Sequence, residues 1–206
     1  ADWHLGQTFY EYDRREEHFH FLEWLKQQIK QHEIDVLLIA GDVFDSPNPS
    51  AESQRVYYRF LREVTSENPS LQIVIIAGNH DSAARLEAPN PLLEDMNIIV
   101  RGTVRRNAEG DIDLQHFIVP LYTEGKVTAY CLAVPYLRQG DYPSAENYSK
   151  GVQQLYEQLF NKVKEKGIPV VAMGHLQATG SEISEDDRSE RTVIGGLECV
   201  SPDAFN

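Results

Sequence analysis

The sequence predicts a layered α/β domain, a sheet packed between helices. Short apolar runs rich in β-branched residues recur along it, each followed by a glycine. They are Val36, Leu37, Leu38 and Ile39 before Gly41; Leu71, Ile73, Val74, Ile75 and Ile76 before Gly78; and Val170, Val171, Ala172 and Met173 before Gly174. Stretches with apolar residues at helical spacing lie between such runs, and residues 98–135 read as a β-rich middle. No internal repeat or linker divides the 206 residues, so one domain over 1–206 is expected.

Residues 14–31 place Phe19, Leu22, Leu25 and Ile29 at helical spacing, giving one apolar face. His18, His20 and His32 are read as surface residues. After the first strand, a Ser46-Pro47-Asn48-Pro49-Ser50 loop ends on a serine suited to cap a helix. That helix is expected over residues 50–66, with Val56, Tyr57, Phe60, Leu61 and Val64 apolar, and Asn68-Pro69 stops it. Pro89 and Pro91 break any continuous helix across 82–97. Strands are expected at 98–100, 116–119 and 127–134, the last two separated by a Glu124-Gly125 turn. His116, within such a strand and without a ligand partner nearby in the sequence, reads as structural. Residues 141–149 form a polar loop before a helix carrying Val152, Leu155, Leu159 and Val163, which stops at Gly167. The acidic run 181–191 reads as a solvated loop, and Val193-Ile194 as a last strand.

Composition narrows the partners. Nineteen Lys and Arg against 32 Asp and Glu leave a net charge of −13, which argues against binding nucleic acid by bulk charge alone. Bound cations would reverse the local field, so a substrate phosphate held by metals stays compatible with it. No apolar run approaches the roughly 20 residues of a membrane span, and no signal peptide opens the chain. Cys131 and Cys199 form no metal-type pair or disulfide framework; Cys131 reads as a buried strand thiol, in keeping with a reducing cytoplasm.

The chemistry sits at the ends of the strands, where α/β sheets bind ligands. Gly78-Asn79-His80-Asp81 follows one strand; alone it is equally an ordinary polar turn. The same construction recurs in Gly41-Asp42-Val43-Phe44-Asp45, in Gly174-His175 and in the opening Asp2-Trp3-His4-Leu5-Gly6. Carboxylate, amide and imidazole donors gathered in this way suit hard to borderline divalent cations.

These motifs, in this order, resemble the calcineurin-like metallophosphoesterases, whose pattern runs D-x-H, G-D-x-x-D, G-N-H-D/E, G-H and G-H-x-H. Within that superfamily, Ala1-Asp2-Trp3-His4-Leu5-Gly6-Gln7, Ala40-Gly41-Asp42-Val43-Phe44-Asp45, Gly78-Asn79-His80-Asp81-Ser82, Gly174-His175-Leu176 and Ser201-Pro202-Asp203-Ala204-Phe205 are similar to the SbcD-type DNA nuclease subunits. The resemblance implies a layered α/β sandwich and two-metal hydrolysis of phosphodiesters, with two divalent ions and manganese favoured. It implies that Asp2 and His4 bind the first metal, Asp42 bridges both, and Asn79 and His175 bind the second. His80 would face the scissile phosphate without being a ligand. Asp45 would fix its ring, with Asp81 as the second choice. The implied partners are DNA, an SbcC-type ATPase and a second copy of the chain, met through helix 50–66 and segment 89–97, where exposed Tyr57, Tyr58 and Phe60 would suit an interface and equally suit a core.

The final G-H-x-H is missing, and the chain opens at a motif that should follow a strand, so a fragment without the capping domain, impaired in metal binding and cleavage, is expected. Two other readings stay open: the same fold acting on a cyclic nucleotide, phosphoprotein or other phosphoester, and a scaffold that has kept the fold without catalysis.

Overall fold

The computed structural model describes residues 1–179 and 199–205. In chain order the elements are β1 (Thr8–Phe9), β2 (Tyr12–Asp13), α1 (Arg15–Gln31), β3 (Val36–Ala40), α2 (Ala51–Glu67), β4 (Gln72–Ile76), α3 (Ala83–Glu87), α4 (Asn90–Leu93) and β5 (Ile98–Arg101). They continue with α5 (Leu114–Phe117), β6 (Ile118–Thr123), β7 (Lys126–Ala133), α6 (Tyr148–Val163), β8 (Val170–Met173), β9 (Gln177–Ala178) and β10 (Cys199–Val200). The expected loop at 181–191 and strand at 193–194 lie outside the described residues.

Two three-stranded sheets pack face to face. One runs β3-β4-β5, all parallel; the other runs β6-β7-β8, with an antiparallel β6–β7 hairpin and a parallel β7–β8 pair. Val74 and Ile76 of β4 meet Val119, Leu121, Cys131, Ala133 and Met173 between the sheets. The opposite face of β4, through Ile73 and Ile75, packs on Leu22 and Ile29 of α1 and Tyr57, Phe60, Leu61 and Val64 of α2. Leu132 of β7 packs with Val152, Leu155 and Leu159 of α6 on the outside of the second sheet. The layers are helix, sheet, sheet, helix. Because β4 is covered on both faces, all five of its residues are buried, and after Gln72 it reads as a continuous apolar run, Ile73 to Ile76, without alternation. Each large aliphatic side chain removed from water there contributes about 1.5–3 kcal/mol.

Local chemistry sets most boundaries. The Ser50 hydroxyl accepts from the Ser53 amide at 3.0 Å and starts α2, and the Asn147 side chain accepts from the Lys150 amide at 2.9 Å and starts α6. Glu124 and Gly125 both take positive φ (51° and 75°), as the tight β6–β7 turn requires. Cys131 is buried, and burial pushes its thiol up to about 12; both cysteines are free. Among the described residues no helix is long and apolar enough to cross a membrane.

Two expectations change, and one open reading closes. The buried stripe of α1 runs through His18, Leu22 and Ile29, while Phe19 is 52% exposed. His18 therefore belongs to the core and not to the surface; His20 and His32 are exposed. Tyr57 and Phe60 are core residues and Tyr58 is half-buried, so the first two offer nothing to an interface. His116 is not in a strand: the Asp113 carboxylate accepts from the Gln115 amide at 3.1 Å and nucleates the single turn of α5.

His116 is buried, with Nε2 unpartnered and 3.6 Å from Glu87 Oε1. Glu87 is itself engaged by the Arg105 guanidinium at 2.6 Å and the Thr103 hydroxyl at 2.5 Å, and Arg101 donates to the His116 carbonyl at 2.6 Å. Burial and then the two arginines lower the imidazole pKa to about 4; Glu87 and Asp113 oppose this but do not prevail. A group depressed in the folded state binds fewer protons there than in the unfolded chain, so stability falls as pH drops from about 6.5 toward 4. We predict that wild-type protein loses about 3 kcal/mol more over this window than His116→Gln. Denaturant melts at both pH values measure it, and parallel profiles for the two proteins would refute it.

Candidate metal centre

The opening segment has no sheet of its own to join. It pairs with the turn after β3: the amides of Asp2, His4 and Leu5 donate to the carbonyls of Gly41, Asp42 and Val43 at 3.2, 3.1 and 3.0 Å, and Asp45 returns an amide to Leu5 at 3.3 Å. Asp2 and His4 are thereby set beside Asp42. All three hold positive φ (59°, 46° and 48°), a region costing a non-glycine residue roughly 1–3 kcal/mol. Such conformations persist where surrounding contacts over-determine them, as this ladder does.

Turns β3–α2 and β4–α3 meet just as closely. A Cβ on Gly78 would lie 2.0 Å from Asp42 Oδ1 and 2.3 Å from its amide nitrogen. Gly78 is therefore required by close approach and not by a positive φ. Gly41 serves both ends: its φ is +78°, and a Cβ there would fall 2.3 Å from His175 Nδ1. Asp81 fastens the contact, its buried carboxylate accepting from the amides of Gly78 (2.9 Å), Phe44 (3.0 Å) and Val43 (3.2 Å). Burial raises the Asp81 pKa, with the three amides opposing. Asp81 thus joins two loops, and no contact places it on the His80 ring.

Around Asp42 the expected donors converge. Two groups have ligand atoms that all lie within 4.8 Å of one another: His4, Asp42 and His80, and Asp2, Asp42 and His175. Asp42 is common to both. Its Oδ2 lies 3.7 Å from His4 Nε2 and 3.5 Å from His175 Nε2, while Oδ1 accepts the His80 amide at 2.9 Å. Asn79 Oδ1 is 2.8 Å from His175 Nε2, and His175 Nδ1 is 3.0 Å from the Ala40 carbonyl. Burial alone would raise the Asp42 pKa, but His175 and the His80 amide outweigh it and hold the carboxyl low. For His175 burial acts downward; Asp42 and the Ala40 carbonyl outweigh it and the pKa rises.

His80 and Asp45 meet, though not as expected. His80 Nδ1 lies 2.9 Å from the main-chain carbonyl of Asp45, while the Asp45 carboxylate turns to His4 Nδ1 at 3.5 Å. The His4 and His80 rings meet edge to face at 4.8 Å. Sequence reading passed over Tyr136, whose ring lies 6.3 Å from that of His175 and whose amide donates to Ala77 at 2.8 Å. The available signal was its place just past β7, at a strand end closed by Pro135 and not by a glycine.

The residues present fit a pair of divalent cations. His80 Nε2 is buried without a hydrogen-bond partner, and His4 Nδ1, also lacking one, has the Asp45 carboxylate 3.5 Å away, an arrangement costly for buried polar atoms. With a proton on Nδ1 toward Ala40, His175 Nε2 faces Asn79 Oδ1 and Asp42 Oδ2, so either a second ring proton or a bound cation can occupy that side of the ring. Oxygen and imidazole donors in this mixture suit borderline divalent ions.

Comparison with known proteins agrees with this chemistry. The SbcD component of the nuclease SbcCD from Rhodobacter capsulatus is 40% identical over 217 residues, covering 100% of this chain and 53% of that protein. The proteins of the same name from Escherichia coli and Bacillus subtilis are 29% and 27% identical, again over 100% of this chain and 52% of theirs. The chain spans about half the length of the curated relatives it matches. The family profile described as calcineurin-like phosphoesterase matches residues 1–198, a region that takes in every motif from Asp2 to His175, and the chain belongs to that family.

Proposed function

We propose that this chain is the nuclease domain of an SbcD-type, manganese-dependent subunit that hydrolyses DNA phosphodiesters at double-strand breaks and hairpins, with an SbcC-type ATPase as partner, in the cytoplasm. The observation that carries the reading is Asp42, one carboxylate common to two donor groups. Asp2 and His4 would hold one cation, Asn79 and His175 the other, with Asp42 between them. Two such ions, when bound, supply the positive charge that clamps a phosphodiester and lowers the pKa of a water.

The chain's own groups divide the remaining work. Asp42 is held low in pKa and keeps its charge. His4, His175 and Asn79 add donors without adding negative charge, so the centre stays positive toward a phosphate. His80 is anchored through Nδ1 on the Asp45 carbonyl, which leaves Nε2 to meet the substrate. In its imidazolium form Nε2 donates a proton to the departing 3′-oxygen. Asp45 orients this ring through its backbone and lends its carboxylate to His4. A homodimer would use the outer side of α2 and the neighbourhood of α4, where Tyr58 is half-buried and Leu92 is 73% exposed.

Calorimetric titration with manganese should give two sites in the wild type and lose both in Asp42→Asn; two sites of unchanged affinity in the variant would sink the bridging assignment. His80→Gln should keep both sites and lower DNA turnover by about 100-fold or more. Loss of a metal site in that variant would instead make His80 a ligand, the role its grouping with His4 and Asp42 permits. Sedimentation at tens of micromolar tests the dimer, and a monomer there removes it from the scheme.

A further inference from the structure

We infer that Arg138, shelved on Tyr136, binds a backbone phosphate a few nucleotides from the one being cut, and so makes this centre favour a polynucleotide over a small phosphoester. The inference rests on the nuclease reading above and specifies which residue outside the metal donors recognises the substrate.

In a chain with a net charge of −13, five arginines are held by acids: Arg14 by Glu17, Arg15 by Asp13, Arg55 by Glu52, Arg62 by Glu63 and Arg105 by Glu87, while Arg85, Arg101 and Arg106 bond neutral oxygens. Among the described residues no carboxylate forms an ion pair with Arg138. Asp141 accepts from the Arg138 backbone amide at 2.8 Å and so fixes the loop, not the guanidinium. The guanidinium carbon instead lies over the Tyr136 ring, 5.3 Å from its centroid. A ring face holds an arginine without taking its N–H donors.

Tyr136 is in turn fixed against the centre. Its amide is bonded to Ala77, the residue before Gly78, and its ring stands 6.3 Å from His175 at an interplanar angle of 76°. The two ring distances put the guanidinium within about 12 Å of the His175 ring. One strand of a duplex rises about 3.4 Å per nucleotide, so the guanidinium lies at most about three to four nucleotides of rise from that ring. A polynucleotide lying across the centre can offer it a second phosphate, which a small ester with a single phosphate lacks. Arg138 is exposed and makes no side-chain hydrogen bond among the described residues, so its removal disturbs little of the fold.

The test uses the intact protein in two assays. Binding of a labelled single-stranded oligonucleotide is followed by anisotropy across a salt series, with calcium in place of manganese. Hydrolysis of bis(4-nitrophenyl) phosphate with manganese reports the centre alone. Arg138→Ala should bind the oligonucleotide about fivefold more weakly, with the slope of log affinity against log salt reduced by about 0.7, the share of one phosphate contact on a single strand. Its turnover of the small ester should stay within about twofold of wild type. Arg138→Lys should recover part of both the affinity and the slope. Lys162→Ala, an exposed lysine on α6, removes the same charge and should change neither assay. Unchanged affinity and slope in Arg138→Ala overturn the inference, as does equal loss in both assays. Wild-type protein that turns over the small ester yet binds no oligonucleotide overturns the nuclease reading, and this inference with it.

Discussion

The contact between the turn after β3 and the turn after β4 is the constraint on which the centre depends. Two loops can bring a carboxylate and a backbone amide this close only where one of them has no side chain, and Gly78 supplies that absence against Asp42. Closeness alone would leave the buried amides of both loops unpaired, at about 1–3 kcal/mol each. Asp81 answers three of them with one carboxylate. The burial that raises its pKa is the cost of that arrangement, and the three hydrogen bonds are the compensation. The opening segment, His175 and Tyr136 are then arranged around this pair of loops by backbone hydrogen bonds and by the space that Gly41 leaves.

The division of labour between layers follows. The sheets and helices are almost wholly apolar where they meet, so their packing resists deformation and the strand ends stay in register. Strain is confined to the loops: Asp2, His4 and Asp42 sit in left-handed backbone while the strands behind them are regular. A rigid scaffold can carry such strained positions because loosening one would require breaking the ladder that zips the opening segment to residues 41–45.

Much of this was legible in the sequence because the signals are local. A β-branched run, a glycine and a polar residue mark a strand end wherever they fall, and all four motif segments do converge. What escaped was set by neighbours distant in sequence or by atoms every residue carries. His18 and Phe19 are adjacent on one helix, and the side that faces in carries His18, which lines a cavity with Leu5 and Gly6. The Asp45 contact to His80 runs through a carbonyl, a group with no residue-type signature. The single turn at His116 depends on one cap at Asp113, too short a stretch for periodicity to reveal. Tyr136 lay just past a strand end without a glycine and was passed over.

The hydrogen bond between Asn79 and His175 joins positions 96 residues apart, and the one between His175 and Ala40 joins positions 135 apart. Such separations have a consequence for the order of events during synthesis. A ribosome-bound chain can complete the β3-β4-β5 sheet and its helices, with Asp2, His4, Asp42 and His80 in place, long before β8 has been translated. At that stage only one side of Asp42 is furnished. The second half of the centre comes into being when β8 docks beside β7, so competence arrives with the last layer to form, and a nascent chain carries no finished centre.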